Sequence, residues 1–149
     1  MADTECLRTL LKRLFEAQAL GVLATHGEGQ PYTSLVGITA SDDLACLWFA
    51  TLRSAHKYAN LSGDRRVALL VDSRTHRDTD FREAVAVTAI GVAEGLSGER
   101  AMAAARRHTA RHPELADFVG QAGCVMVEVT VSRYVIVQQF QSVQELHMV

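Results

Sequence analysis

The stretch VLATHGEGQPYTSLVGIT, running from Val22 to Thr39, decides how this chain folds. Val22 to Thr25 is a short apolar run, His26-Gly-Glu-Gly29 is made of turn formers, and Gln30 to Thr39 is a second run. Two such runs around a glycine-bearing turn read as a β-hairpin. Outward from the hairpin, Ser41-Asp-Asp43 makes the next turn, and Leu44 to Thr51 is a strand rich in apolar and aromatic residues. Val67 to Val71 and Val85 to Glu94 are further strands. Near the far end, Cys124 to Val137 reads as a long strand. There Val125, Val127, Val129 and Val131 alternate with Met126, Glu128, Thr130 and Ser132. A period of two gives one buried face and one wetter face. Strands joined by tight turns pair antiparallel. About six of them, with little helix, predict a mainly β chain closed into a barrel with flanking helices, not a doubly wound sheet.

The helical signals sit between these strands. Leu7, Leu10, Leu11 and Leu14 recur at helical spacing with Lys12, Arg13 and Glu16 off the stripe, and Gly21 is expected to end this helix. Ser54 to Leu61 predicts a short helix with Ser54 near its N-cap, stopped by Gly63-Asp64. Asp72 to Arg82 is charged and reads as a loop. Ser97 is expected to cap a helix rich in alanine and arginine that runs to about His112. Pro113 interrupts it, and Glu114 to Val119 adds a further turn or two. No repeat, low-complexity segment or linker divides residues 1–149, so the expectation is a single domain.

Composition narrows the function classes. The chain has 149 residues, 48% hydrophobic and 21% charged, with a formal net charge of −2, so no basic footprint points to nucleic acid. Cys6, Cys46 and Cys124 are odd in number, far apart and without C-x-x-C spacing, which argues against a disulfide framework or zinc site. The polar start lacks the apolar core of a signal peptide, and no run of about 18 apolar residues could span a bilayer. The expected location is the cytoplasm.

The chemistry concentrates in FATLRSAHKYANL, Phe49 to Leu61. A strand ends at Thr51, a loop carries Arg53, and His56 and Lys57 fall in the first helical turn. Cations there oppose the helix macrodipole, whereas a bound anion would be held by both the free amides and the cations. Arg53, His56 and Lys57 therefore form a candidate phosphate clamp. The alternative is a solvated basic turn.

With these residues in view, the chain resembles the pyridoxamine 5'-phosphate oxidase-like FMN-binding split barrels. The likeness runs through Gly29-Gln-Pro-Tyr32, the strand to Val36, Phe49-x-Thr51, His56-Lys57, Asn60-Leu61 and Arg66-Val-Ala-Leu-Leu70. It continues through Ile90-Gly-x-Ala-Glu-x-Leu96, His112-Pro-Glu-Leu115, Arg133-Tyr134 and Phe140-Gln-x-Val143. It implies an antiparallel split β-barrel and a homodimer with flavin mononucleotide (FMN) between the subunits. It places His56 and Lys57 on the FMN phosphate, beside the Arg53 that the spacing offers, Ala50 and Thr51 near the phosphate-ribityl end, and Ser34, Leu35, Val36, Gly37 and Ile38 along the isoalloxazine ring. Ser34 and Thr39 stand where the oxidase itself has cations, a small residue near Ala86 replaces its strand glutamine, and its C-terminal substrate segment has no counterpart. The resemblance is thus to the wider family and not to vitamin B6 oxidation. It implies a flavin-dependent oxidoreductase of unassigned substrate. The alternatives are a non-enzymatic FMN carrier or electron-transfer module, or a relative that binds F420 or haem.

No residue stands out as a catalytic acid, base or nucleophile, and neither a Rossmann glycine loop nor a G-x-S-x-G elbow occurs. His108 and His112 lie one helical turn apart but among Arg106, Arg107 and Arg111, which reads as a solvated helix face and not a metal site. Trp48 is expected in the core or on an apolar flank used for dimerisation. Tyr32, Tyr134 and Cys46 read as structural, and Asp78, Asp80 and Glu83 as a solvated mixed-charge loop.

Overall fold

The computed structural model describes residues 3–139 and 142–149. Helix α1 spans Thr4–Ala17, followed by the hairpin β1 (Leu20–Gly27) and β2 (Gln30–Gly37). A two-residue strand β3 (Thr39–Ala40) leads to β4 (Cys46–Leu52), helix α2 (His56–Gly63) and β5 (Arg66–Asp72). Then come the single turn α3 (Asp80–Glu83), β6 (Val85–Gly95), helix α4 (Gly98–Arg111), a 3-10 turn (Pro113–Leu115) and α5 (Ala116–Val119). The long β7 (Cys124–Gln138) and β8 (Ser142–His147) complete the described residues.

All strand pairs are antiparallel, in the order β2-β1-β5-β6-β7-β4-β3 with β8 also on β7. The sheet curls into a half-barrel with a few flanking helices, as the sequence pattern requires. The expected strands are all present; β3 and β8 add to them. The hairpin turn puts Glu28 at φ 51° and Gly29 at φ 80°, the left-handed pair that a two-residue turn needs to match strand twist.

One β-bulge lets β7 serve three neighbours. Ile90 of β6 pairs with Arg133 and Gly91 pairs with Val131, so Ser132 is the extra residue, and its hydroxyl donates to Ile90 O at 2.9 Å. Before the bulge β7 pairs with β4, and after it with β8. A side chain at Gly91 would collide with the Thr130 carbonyl.

The barrel interior holds the alternate residues of each strand, including Leu23, Phe49, Leu69, Val87, Val127, Val129 and Ile136. Helix α1 closes it with Leu7, Leu11, Leu14 and Phe15, the last edge-on to Tyr134. Tyr134 is fully enclosed and donates to Leu44 O at 2.7 Å, and burial pushes its hydroxyl pKa up. It is structural, as expected.

Several local expectations are corrected. Gly21 does not end α1; the helix stops at Ala17, and Gly21 lies in β1, where a Cβ would meet the Leu69 and Val71 side chains. Ser54 is not the cap of α2: the N-cap is Ala55, with no side-chain hydrogen bond. Ser97 is the N-cap of α4 by backbone alone. The 72–82 loop contains a built turn in which the Asp80 carboxylate accepts from the amides of Thr75 and His76, and these bonds lower its pKa. The helix at 98–111 does not present its histidines to solvent. Of the tail motif, Val143 lies in β8, while Phe140 and Gln141 lie outside the described residues. Among the described residues no helix is long and apolar enough to cross a membrane.

Candidate functional site

The sheet path leaves a split. β2 pairs only with β1, and β4 pairs with β3 only at Trp48 and Leu47. One edge of β2 and the edge of β4 from Phe49 to Leu52 therefore carry unpaired backbone groups where the two strands approach. Helix α2 touches both strands and packs most closely on β1.

The start of α2 is held from three directions. Arg53 N–H donates to Gly123 O at 2.9 Å, and Arg53 Nη1 reaches Ala122 O at 3.4 Å. Asn60 is buried and donates its Nδ2 to Thr25 Oγ1 at 3.1 Å, with Leu61 beside it in the core. The ring of His56 lies against Tyr32 of β2, centroids 4.5 Å apart. The first backbone bond of the turn runs from Tyr58 N–H to Ala55 O, so the amides of His56 and Lys57 precede the helix ladder. Among the described residues Arg53, His56 and Lys57 form no ion pair, a property shared with Arg8, Lys12, Arg13, Arg77, Arg82, Arg106 and Arg111.

The other sequence-predicted positions divide by face. Val36, Ile38 and Thr51 are buried, so their side chains serve the core. Thr51 Oγ1 donates to Leu52 O at 3.3 Å. The Ile38 amide donates to Ala19 O, and its carbonyl accepts from His112. Ser34 lies opposite Leu23, and its hydroxyl is enclosed without a partner. Gly37 is half-buried, with Leu115 3.1 Å from where a Cβ would sit. Ala50 is half-buried against the Met126 cluster, and Leu35 stands 65% exposed on the outer face. Arg53, His56 and Lys57 thus fall in the turn and first residues of α2, and β2 meets this turn through the Tyr32–His56 ring contact.

A cleft of about 690 Å³ lies between α2 and the β1–β2 turn, lined by His26, Gly27, Glu28, His56, Asn60 and Asp64 among others. Of the predicted positions only His56 lines it. The Arg66 guanidinium holds the Asp64 carboxyl well below the usual carboxylate range.

Sequence reasoning misjudged α4. His108 and His112 are 0% and 2% exposed, with rings 4.9 Å apart. His108 Nδ1 is hydrogen-bonded to Thr39 Oγ1 at 2.8 Å, and His112 Nε2 donates to Ile38 O at 2.6 Å. His108 Nε2 is enclosed with no partner. Burial, then the neighbouring His112, pushes the His108 pKa down to about 4, so the ring is neutral near pH 7. The nearby arginines point elsewhere: Arg107 pairs with Asp42 and lies over Trp48, and Arg111 donates to the carbonyls of Phe15 and Glu16. A signal existed. Ala101, Ala104 and Ala105 form a helical stripe that continues into His108 and His112. Among the described residues no group of three metal-ligating side chains converges.

Trp48 is not a bare flank either. It packs with Leu96, Ala104 and Met126 under α4 and donates Nε1–H to Glu128 at 3.0 Å. Glu128 in turn accepts from Arg100 at 2.6 Å. A less covered row lies elsewhere on the same outer face of the sheet. Strand register aligns Leu35, Val22, Leu70, Thr88 and Val135 on one outer face across five strands, with Leu20 54% exposed nearby.

A curled antiparallel sheet, split between β2 and β4, defines a split barrel. The chain belongs to the pyridoxamine 5'-phosphate oxidase family, whose model matches residues 7–138. No curated protein matches the chain. Among solved structures it is similar to a heme-binding protein from Mycobacterium smegmatis, with TM-score 0.82 and 20% identity over 99% of this chain. The match spans 58% of that longer protein. It is also similar to a protein related to general stress protein 26 from Clostridium acetobutylicum, with TM-score 0.74, 16% identity, and 99% and 97% of the two chains covered. A FAD-binding protein from Mesorhizobium loti aligns with TM-score 0.68 and 20% identity, covering 91% and 94%. At these identities the structural likeness establishes the fold.

Proposed function

We propose that the chain binds FMN in the split between β2 and β4, at the interface of a homodimer, and acts as a flavin-dependent oxidoreductase. The observation that carries this reading is the run of basic residues Arg53, His56 and Lys57 at the start of α2, next to two amides that precede the helix ladder and an unpaired strand edge. A dianionic phosphate satisfies the cations and the helix end together. The flat ring suits an extended edge with polar backbone and few side chains, and Gly37 and the unpartnered Ser34 Oγ lie on that strand. The residues present therefore fit the group. Arg53, His56 and Lys57 would hold the phosphate, Ala50 and Thr51 would line the ribityl chain, and Ser34 to Gly37 would flank the ring. Ile38 has both backbone groups engaged within the protein and serves to anchor the strand.

Bound flavin supplies hydride or electron transfer, and the protein orients it and excludes water. The outer row from Leu35 to Val135 supports the dimer, because a second copy would cover it and wall the split. Thr39, where the oxidase has a lysine, is buried on His108, so no cation is offered to a substrate phosphate there.

A carrier or electron-transfer module is the second reading. It is favoured by the proposed contacts themselves, which include no carboxylate or thiol suited to acid–base work. The similar heme-binding and FAD-binding proteins make haem and FAD the competing ligands, with F420 a third. The visible spectrum of the purified protein, with mass spectrometry of the molecule released on denaturation, tests the assignment. FMN supports it; haem, F420 or a colourless protein that takes up no FMN overturns it. Turnover of NAD(P)H with an acceptor, against the cofactor-free protein, separates enzyme from carrier.

A further inference from the structure

The structure assigns a positioning role to His108 and His112: the two imidazoles of α4 clamp the exit of β2 and so fix the strand that flanks the flavin. The purpose of the clamp rests on the flavin reading above; the clamp itself stands on geometry.

Two consecutive residues just past β2, Ile38 and the first residue of β3, are gripped by two rings one helical turn apart. Ile38 O accepts from His112 Nε2 at 2.6 Å, and Thr39 Oγ1 bonds His108 Nδ1 at 2.8 Å. The Ile38 amide is tied on its other side to Ala19 O at 3.0 Å. Leu115, in the turn that follows α4, presses on Gly37. The exit of β2 is thus pinned where the strand loses its sheet partner, since β1 pairs it only up to Gly37. An edge strand is laddered on one side only. β1 holds β2 up to Gly37 and Trp48 pairs with Thr39, and α4 adds a hold on the residues between and at that junction.

Packing alone does not explain the choice of residue. His108 Nε2 is enclosed without a partner, and an apolar ring would fill the same space without stranding a polar atom. What an apolar ring cannot do is bond Thr39 and Ile38. The polar contacts, and not the volume, are what these positions supply.

Hydrogen exchange of the full chain, followed by mass spectrometry, tests the clamp without reference to flavin. Thr39→Val removes one contact and keeps the shape, His112→Phe removes the other, and Thr39→Ser restores a hydroxyl. The β2 amides should exchange about tenfold faster in Thr39→Val and in His112→Phe, with β5 and β6 unchanged and Thr39→Ser close to wild type. FMN affinity, measured by fluorescence quenching, should fall about tenfold in Thr39→Val and recover in Thr39→Ser. Unchanged β2 protection in Thr39→Val and His112→Phe would overturn the clamp. Faster exchange with unchanged FMN affinity would overturn its role toward the flavin. Faster exchange in a protein whose wild type takes up no FMN would leave the clamp standing and remove the flavin reading instead.

Discussion

Two basic segments of this chain use the same residue types to opposite ends. Residues 53–57 contain Arg53, His56 and Lys57, and residues 106–112 contain Arg106, Arg107, His108, Arg111 and His112. At the start of α2 the cations oppose the helix dipole and find no carboxylate. At the end of α4 they agree with the dipole, Arg107 is engaged by Asp42 and Trp48, Arg111 by the carbonyls of α1, and the histidines turn inward. The second arrangement is self-sufficient and holds the fold. The first is unfavourable for the helix alone and would be relieved by a bound anion, which is the basis of the proposed phosphate site.

The largest expected effect separates the two segments directly. His56→Ala with Lys57→Ala should cost about 1.5–3 kcal/mol of FMN binding per lost contact, a combined loss of about a hundredfold or more. The thermal midpoint of the cofactor-free protein should hardly move. A large stability loss would mean that the α2 cations are structural after all.

The next effect belongs to α4. Burial, and then the neighbouring His112, push the His108 pKa down to about 4 in the folded chain from the ordinary imidazole value of about 6.5, so the unfolded state binds the extra proton between those values. Stability should rise with pH across that window and fall by roughly 3 kcal/mol as the pH drops from 6.5 to 4. Denaturant titrations at several pH values measure this, and His108→Gln should flatten the slope. A slope that persists in the variant would place the titrating group elsewhere.

Smaller again is Arg111→Ala, which frees the carbonyls of Phe15 and Glu16 at the end of α1 and should cost about 1 kcal/mol of stability. The smallest change is Arg107→Ala. It removes an ion pair whose carboxylate is 96% exposed and a contact over Trp48, and it should cost less than about 1 kcal/mol. Neither should alter FMN affinity.

What was legible in the sequence follows the same division. The stripe of α1, the β1–β2 hairpin and the alternation of β7 are set by local periodicity, and the structure reproduces them. The basic start of α2 was visible because helix-end electrostatics is a local property. The inward face of the histidine pair was hinted at by the alanine stripe, but its partners Thr39 and Ile38 lie some 70 residues away and could not be read locally. Gly21 was mistaken for a helix stop since its true constraint, the Leu69 and Val71 side chains, lies across the sheet. The outer row from Leu35 to Val135 was invisible until strand register aligned five separate strands, and attention fell instead on Trp48, which α4 covers.

The most direct trial of the phosphate clamp is a comparison of FMN with riboflavin, which lacks only the phosphate, in the wild-type chain and in the His56→Ala, Lys57→Ala variant. FMN should bind the wild type about a hundredfold tighter than riboflavin, and the ratio should collapse toward one in the variant. Equal affinities for the two flavins in the wild-type protein would contradict the account.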